Sequence, residues 1–313
     1  MTSNARSLAL LWLLMTAWAA RPVMQNRPAA AAHPLSGRIW DTRAQDWVST
    51  SELARRLTRA RYVLLGEVHD NAGHHELRRG LLAALVRDGR RPAIAMEQFD
   101  REHQPALQRA QNEPAPTPES LKTAGRIDAQ GWNWSYYEPI IRLALDHRLP
   151  IFAANLSRAD AFRVSTQGAA AVLGQAAVSA LQLDQPLPDA ARLKLEQVIE
   201  EGHCGKAPRD ILPGMVAAQR ARDAIMAQTL QAHAPAVLIA GNGHVRRDFG
   251  VPQYLAHYPQ GDDVRVVGFI EVDAAQPAPA DYVNAGEPEY DYIAFTPRTP
   301  RPDPCKELRF KQR

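Results

Sequence analysis

The 313-residue sequence has few of the features that nucleic-acid-binding proteins require. Its formal net charge is +3, and only two cysteines and 7% aromatic residues are present. Arg6, Arg21 and Arg27 account for the positive excess because the first 32 residues contain no acid, so the rest of the chain has a net charge of 3 − 3 = 0. A polyanion-binding protein needs a concentrated positive field. We therefore expect no nucleic-acid partner.

Several catalytic and cofactor-binding motifs are also missing. The sequence contains no Walker A loop, no G-x-S-x-G turn and no H-E-x-x-H helix, so phosphoryl transfer, serine hydrolysis and helix-borne zinc catalysis lose their usual support. It has no C-x-x-C-H motif for covalent haem. Gly241 and Gly243 are followed by Arg246 where a dinucleotide loop has its third glycine, so a nicotinamide cofactor is not predicted.

The amino-terminal segment is typical of an exported protein. Arg6 precedes an apolar run over residues 8–20, which has the length of a signal-peptide core and is shorter than a membrane span of ~20 residues. Ala17 and Ala19 form a small-x-small cleavage site, and the alanines at 30–32 offer a later one. We predict that residues 1–32 are a signal peptide and linker and that the protein is periplasmic or associated with the cell envelope, with an uncleaved anchor as the alternative. No cysteine follows the run, so a lipid anchor attached there is excluded.

Six predicted strands, mostly continuous apolar runs, set the fold class. They cover residues 62–68, 93–99, 150–156, 236–241, 264–272 and 292–296. Such runs are typical of parallel strands covered on both faces. The sequence therefore predicts an α/β fold over residues 36–300, with a mostly parallel central sheet flanked by helices. A helical subdomain is expected as an insertion at about 157–233, followed at the end of the chain by a basic tail at 301–313.

Acids and histidines follow the predicted strands. Glu67 and His69 end the first strand, Glu97 ends the second, and Asn155 and His244 follow two others. Because the carboxyl ends of parallel strands meet at one edge, these side chains are expected to converge. Glu67, His69, Glu97 and His244 are the ligand types that hold a divalent metal ion, and Glu67 or Glu97 would serve as the base of a metal-dependent hydrolase.

Glu97 and His244 also have simpler interpretations. Glu97 could form a salt bridge with Arg79 or Arg222, and His244 could lie in an exposed turn. On the helix at 212–233, Gln219, Arg222 and Asp223 share one face, which is either solvated or closes a cleft over the strand ends. The other histidines, His74 and His75 among them, are expected on the surface.

Two further features concern the aromatic residues and the cysteines. Four rings, at Trp132, Trp134, Tyr136 and Tyr137, lie before a predicted helix, where they either sandwich a flat ligand or pack a junction. Cys204 and Cys305 are about 100 residues apart, and a disulfide closing that loop would contribute about 3 to 5 kcal/mol. A structural disulfide is favoured over a nucleophile or zinc ligands.

Four ordered motifs resemble the ChaN family of exported haem-binding proteins. They are GEVHDN at 66–71, AMEQF at 95–99, Ala218-Gln219 with Arg222-Asp223, and GNGH at 241–244, and the resemblance covers about residues 36–272. The wider superfamily contains the erythromycin esterases, TraB and the Tiki metalloproteases. Its signature of two G-x-x-H motifs and a glutamate corresponds to Gly66–His69, Gly241–His244 and Glu97.

The resemblance implies non-covalent haem binding in iron uptake or storage at the cell envelope. Family members can bind haem as dimers, so a homodimer and envelope haem-uptake components are the implied partners. A tyrosinate suits ferric haem, so Tyr136 or Tyr137 is the expected axial ligand, with His203 competing and basic side chains holding the propionates. A metal-dependent hydrolase and an inert, partner-binding descendant are the alternatives.

Overall fold

A central β-sheet organises the chain. The computed structural model describes residues 33–128, 131–284 and 288–307. The strands in this part are β1 (Ile39–Asp41), β2 (Asp46–Val48), β3 (Tyr62–Leu65), β4 (Ala93–Asp100), β5 (Ile151–Asn155), β6 (Ala236–Ile239), β7 (Val264–Glu271) and β8 (Tyr292–Thr296). The helices are α1 (Thr50–Leu57), α2 (Ala72–Arg87), α3 (Gln104–Gln111), α4 (Pro118–Ala124), α5 (Trp134–Asp146), α6 (Arg158–Gln167), α7 (Ala170–Leu173), α8 (Gln175–Ala180), α9 (Asp189–Gly202), α10 (Leu212–Ala232), α11 (Asn242–Val245), α12 (Val251–Leu255) and α13 (Pro304–Glu307).

The sheet is mostly parallel, as the sequence predicts. Its strand order is β2-β1-β8-β7-β3-β6-β4-β5. All neighbouring pairs from β8 to β5 are parallel, whereas β1 runs antiparallel to both β2 and β8. The six predicted strands are confirmed. The β1–β2 hairpin was not predicted because its strands are only three residues long.

Alternating side chains of each central strand enter two different helical layers. In β3, Val63 and Leu65 pack with α1, α2 and α5, whereas Tyr62 and Leu64 pack with α10 and α12 on the opposite face. Every β3 side chain is therefore buried. Each fully buried aliphatic side chain stabilises the fold by about 1.5 to 3 kcal/mol, which explains why the strands are continuous apolar runs.

Helix ends follow local chemistry. The side chain of Asn71 accepts a hydrogen bond from the backbone N–H of His74 at 3.2 Å and so caps α2. The predicted helix at 212–233 corresponds to α10. Helices α7 and α8 are separated at Gly174, whose φ of +80° only glycine adopts readily. Residues 157–233 thus contain helices α6 to α10.

Two glutamine side chains cover the free edge of β5. The Gln111 amide donates to the carbonyl of Ile151 at 2.8 Å and accepts from its N–H at 2.7 Å, in the way a neighbouring strand would. The Gln104 side chain accepts from the N–H of Ala153 at 2.7 Å. This pairing protects the edge strand from pairing with another chain.

Cys204 and Cys305 form the predicted disulfide, with their Cα atoms 5.5 Å apart. The predicted signal peptide and linker at 1–32 and the last six residues of the predicted basic tail, 308–313, lie outside the described residues. The boundaries of the inserted helical subdomain stay a prediction. No helix in the described part of the chain is both long and apolar enough to cross a membrane.

Candidate functional site

The ends of four adjacent strands form the candidate site. Strands β3, β6, β4 and β5 are neighbours in that order, and the polar residues that follow them lie at the same sheet edge. Side chains from two of these strand ends approach each other around the Cα atom of Gly241. A Cβ added there would lie 3.0 Å from Cε1 of His69 and 3.7 Å from Oε2 of Glu97. The predicted convergence of these strand ends is thus present in the structure.

A buried carboxylate forms the first half of the site. Oε1 of Glu67 accepts hydrogen bonds from Tyr137 Oη at 2.6 Å and from His69 Nδ1 at 2.5 Å. Its Oε2 forms an ion pair with Arg78, whose side chain is fully buried, and lies 3.5 Å from His75 Nδ1. We call these five residues the Glu67 cluster.

The charge of Glu67 is stabilised by a permanent cation. Burial alone would raise the pKa of Glu67, but the Arg78 guanidinium and the bonded His69 outweigh it and lower the pKa to about 2. His75 is neutral because burial lowers its pKa to about 4. Its Nδ1 accepts from Arg78 at 2.8 Å, and its Nε2 donates to the backbone carbonyl of His69 at 2.9 Å. Arg78 therefore orders both the acid and the His69 backbone.

A second buried group occupies the other half of the site. His244 donates from Nδ1 to Asp223 Oδ1 at 2.5 Å and from Nε2 to Glu97 Oε1 at 3.2 Å. The backbone N–H of Gly241 donates to Glu97 Oε2 at 2.7 Å, and the Gln219 amide lies 2.9 Å from His244 Nδ1. We call Glu97, Asp223 and His244 the Glu97 cluster.

One histidine serves two acids in the Glu97 cluster. Burial opposes the charge of His244, but the two carboxylates outweigh it and raise its pKa to about 10. Burial also opposes the charge of Glu97, whose pKa is nevertheless lowered by His244. For Asp223 burial prevails over His244, and Glu97 adds repulsion, so its pKa rises to about 6. At neutral pH the cluster holds an imidazolium between two carboxylates.

The glycines of the two G-x-x-H motifs create room for the site. A Cβ at Gly66 would lie 2.2 Å from Oδ1 of Asn242. That amide is needed in place, because it donates to the carbonyl of Phe269 at 2.6 Å and accepts from its N–H at 3.1 Å. The added atom at Gly241 would crowd the His69 ring. Both glycines are thus explained by close approach.

Two half-buried aromatic rings pack on His69 and on the neighbouring His75. The Trp132 ring meets the His69 ring edge to face, with centroids 4.7 Å apart, and the Tyr136 ring stacks on His75 at 4.5 Å. The His69 side chain is 48% exposed, and Trp132 and Tyr136 are half-buried. We call His69, Trp132 and Tyr136 the aromatic rim. It offers flat apolar surface beside ring donors at the edge of the Glu67 cluster.

The remaining predicted residues have different positions. Arg222 donates to Asn155 Oδ1 at 3.3 Å, and Asn155 donates to the Glu97 carbonyl at 2.9 Å, so neither Arg222 nor the exposed Arg79 is the partner of the Glu97 carboxylate. His203 ends α9 beside Cys204, and its Nδ1 donates to the carbonyl of Ile199 at 2.7 Å. Helix α9 packs on α10, whereas Tyr136 and Tyr137 lie on α5, which packs on α2 and α4.

The expected surface location of His74 and His75 is wrong, because both are buried. Arg78, which the sequence interpretation missed, is also buried. These three residues precede Leu81, Leu82 and Leu85 on the buried stripe of α2. Together with these leucines they follow the i, i+3 and i+7 spacing of one helix face, which was the available signal for their burial. The signal was missed because the three residues are polar.

The contacts of the predicted metal ligands leave little for a cation. Oε1 of Glu67 accepts two hydrogen bonds and Oε2 is in an ion pair with Arg78, while both oxygens of Glu97 face protein donors. In the part of the chain that the structure describes, ligand atoms of three such side chains come within 4.8 Å of one another at Asp100, Glu102 and His103. The hydrolase alternative is therefore not favoured by the geometry.

The fold and the site define an α/β protein of the superfamily that carries two G-x-x-H motifs. A sequence model of the ChaN family, described as haem-binding uptake in the Tiki superfamily, matches residues 53–255, and the chain belongs to this family. No curated protein sequence matches the chain significantly.

Three solved structures are similar to the chain to different degrees, and of these three the first supports a shared fold. ChaN of Campylobacter jejuni, solved with cofacial haem, is 23% identical with a TM-score of 0.62, and the match covers 82% of this chain and 95% of that one. The type III effector HopBA1 is 12% identical with a TM-score of 0.45, covering 85% and 99%. An erythromycin esterase EreC mutant is 15% identical with a TM-score of 0.38, covering 70% and 72%.

Proposed function

We propose that the protein binds haem non-covalently at the aromatic rim. The observation that carries this proposal is the pair of half-buried rings that pack on His69 and His75, in a chain that belongs to the ChaN family. A porphyrin is a large flat apolar ligand, and offset or edge contacts with aromatic rings stabilise such a surface. The rim also provides phenol and imidazole groups, both of which ligate haem iron.

Tyr136 is the preferred axial ligand. Its ring is half-buried at the rim, so the hydroxyl can be reached by a ligand from solvent. Tyr137 is fully buried and donates its hydroxyl to Glu67. Burial and the adjacent Glu67 charge raise the pKa of Tyr137, which opposes the tyrosinate form that binds ferric iron. His203 stays the competing ligand.

Haemin titration of the purified protein tests this assignment. The wild type should give a saturable Soret shift and the charge-transfer band of a ferric tyrosinate. Tyr136→Phe should lose that band and weaken binding at least tenfold, whereas Tyr282→Phe, a half-buried tyrosine away from the rim, should bind as the wild type does. A wild-type Soret shift without the tyrosinate band, weakened in His203→Ala but not in Tyr136→Phe, would transfer the ligand to His203. A wild type that binds haemin no better than albumin would reject the function.

We further propose that this binding serves haem or iron uptake or storage after export to the periplasm or cell envelope. The family membership and the signal-peptide pattern of residues 1–32 support this context. Cell fractionation should place the protein outside the cytoplasm, and light scattering during haemin titration should show a homodimer. Recovery in the cytoplasmic fraction, or a monomer with haem bound, would contradict these respective points.

A further inference from the structure

The segment after β8 connects two distant parts of the molecule. Residues 297–305, which we call the strap, begin where β8 ends and reach Cys305. The disulfide there joins the strap to Cys204, just after α9. The Lys206 ammonium reinforces this end by donating to the Cys305 carbonyl at 2.6 Å.

Arg301 attaches the middle of the strap to the loop that carries His69. Its guanidinium donates to both oxygens of Asp70 at 2.7 and 2.8 Å, and to both oxygens of Glu271 at 2.7 and 2.6 Å. The Arg301 side chain is 23% exposed and that of Glu271 is 12% exposed. The Asp70 side chain is 54% exposed, so the pair with Glu271 is the partly buried one. Bidentate contacts fix geometry better than single contacts do.

Neighbouring contacts extend the attachment along the loop. The Asn71 amide donates to Glu271 at 2.8 Å and to the Pro297 carbonyl at 3.1 Å. The N–H of Thr299 donates to Glu271 at 3.0 Å. Glu271 thus accepts hydrogen bonds from the loop and from the strap, and Asp70, the residue directly after His69, accepts hydrogen bonds from Arg301 of the strap.

We propose that Arg301 is a positioning residue for His69 and that the Cys204–Cys305 disulfide keeps the strap closed over the loop. The expected effect of Arg301 on ligand binding rests on the proposed haem function, whereas its expected effect on the order of the loop that carries His69 does not. Asp70 adjoins His69, so release of Arg301 frees the backbone that sets the direction of the His69 ring. The tether matters because it keeps Arg301 at a high effective concentration near its two acids.

The tether is open to thiol–disulfide exchange. A dithiol reductant would attack one sulfur, release the other as a thiol, and then close its own disulfide. In this exchange, Cys204 and Cys305 together gain two electrons and two protons, and the reductant loses them. The strap would then be held only by its non-covalent contacts.

Hydrogen exchange of the full-length protein tests the strap without any ligand. The informative amides are Val68, which donates to His74 Nδ1, and Asn71, which donates to the Val68 carbonyl. Arg301→Ala should speed their exchange about tenfold, the order expected for losing partly buried charged hydrogen bonds. The matched control is Arg298→Ala, which removes the same charge from an exposed position of the same segment.

Two further variants separate positioning from general destabilisation. Arg301→Lys keeps the charge with fewer donors and should restore part of the protection. Cys204→Ser combined with Cys305→Ser, or dithiothreitol on the wild type, should speed exchange of the same amides. When Arg301→Ala is added to the cysteine variant, exchange should be no faster than with Arg301→Ala alone, because both changes open one strap.

Haemin titration supplies the arm that depends on function. Arg301→Ala should weaken haemin binding severalfold with an unchanged Soret maximum, and Arg298→Ala should not. Equal loop exchange in Arg301→Ala and Arg298→Ala would overturn the strap, and so would full additivity with the cysteine variant. Faster loop exchange with unaltered haemin affinity would overturn the link to the ligand, and a wild type that does not bind haemin would reject only the proposed function.

Discussion

The two halves of the site bury acids at the same sheet edge but neutralise them differently. In the Glu67 cluster a fully buried arginine pairs with one carboxylate. In the Glu97 cluster a single histidine lies between two carboxylates. Arginine stays charged at any pH a protein experiences, whereas histidine can lose its proton.

The difference predicts two kinds of behaviour. The Glu67 cluster is a fixed ion pair, and its main vulnerability is the removal of a partner. The Glu97 cluster is a set of coupled titrating groups, and its main vulnerability is pH. The variants below test whether the two clusters differ in this way.

The largest effect is expected from Arg78→Met. Removing the guanidinium leaves the Glu67 charge buried without a cation, which costs about 3 to 5 kcal/mol of unfolding free energy. Denaturant unfolding measures this loss. The double variant Arg78→Met with Glu67→Gln should recover most of it, because the buried charge is then gone. A loss below about 1 kcal/mol, typical of exposed pairs, would show that Arg78 is not the main counter-ion.

The next effect is a pH dependence that belongs to His244. Its folded pKa of about 10 lies above the ordinary value of 6.5, so the folded state binds the proton more tightly. The resulting stabilisation is complete below about pH 6.5 and is lost as the pH rises toward about 10. Unfolding free energy measured across this range should therefore fall.

A variant identifies the source of that pH dependence. His244→Asn should flatten the decline between about pH 6.5 and 10, whereas Arg78→Met should leave its slope unchanged. An unaltered slope in His244→Asn would assign the titration elsewhere.

At acid pH the sign is opposite for Glu67, whose pKa is lowered to about 2: its stabilisation is present above about pH 4.5 and is lost as the pH falls.

The smallest effect is expected from Asp223→Asn. The amide keeps the shape and can still accept from His244, and Glu97 remains as the counter-charge, so the cost is about 1 kcal/mol, as for an ordinary hydrogen bond. Because the pKa of Asp223 is raised, the wild type should lose stability as the pH rises from about 4 to about 6, and the variant should not show this loss. A cost as large as that of Arg78→Met would erase the contrast between the clusters.

Much of the site could be predicted because it lies at strand ends. Glu67, Glu97 and His244 each follow an apolar run, and parallel strands bring such positions together by topology. Arg78 and His75 could not be found in this way, since they lie on helix α2. A position on a helix does not reveal which strand-end residue it contacts. Tyr136 and Tyr137 are adjacent in the chain, yet only packing distinguishes the half-exposed ring from the buried one.

The sequence by itself determined the α/β class, the central strands and the edge where the acids and histidines meet, because continuous apolar runs are local properties and imply parallel strands whose carboxyl ends share one edge. Only the tertiary structure decided which cation faces which carboxylate and where the strap attaches. Those choices depend on contacts between residues far apart in the chain, 231 positions in the Arg301–Asp70 pair, and side-chain burial at such contacts is set by the whole packed fold.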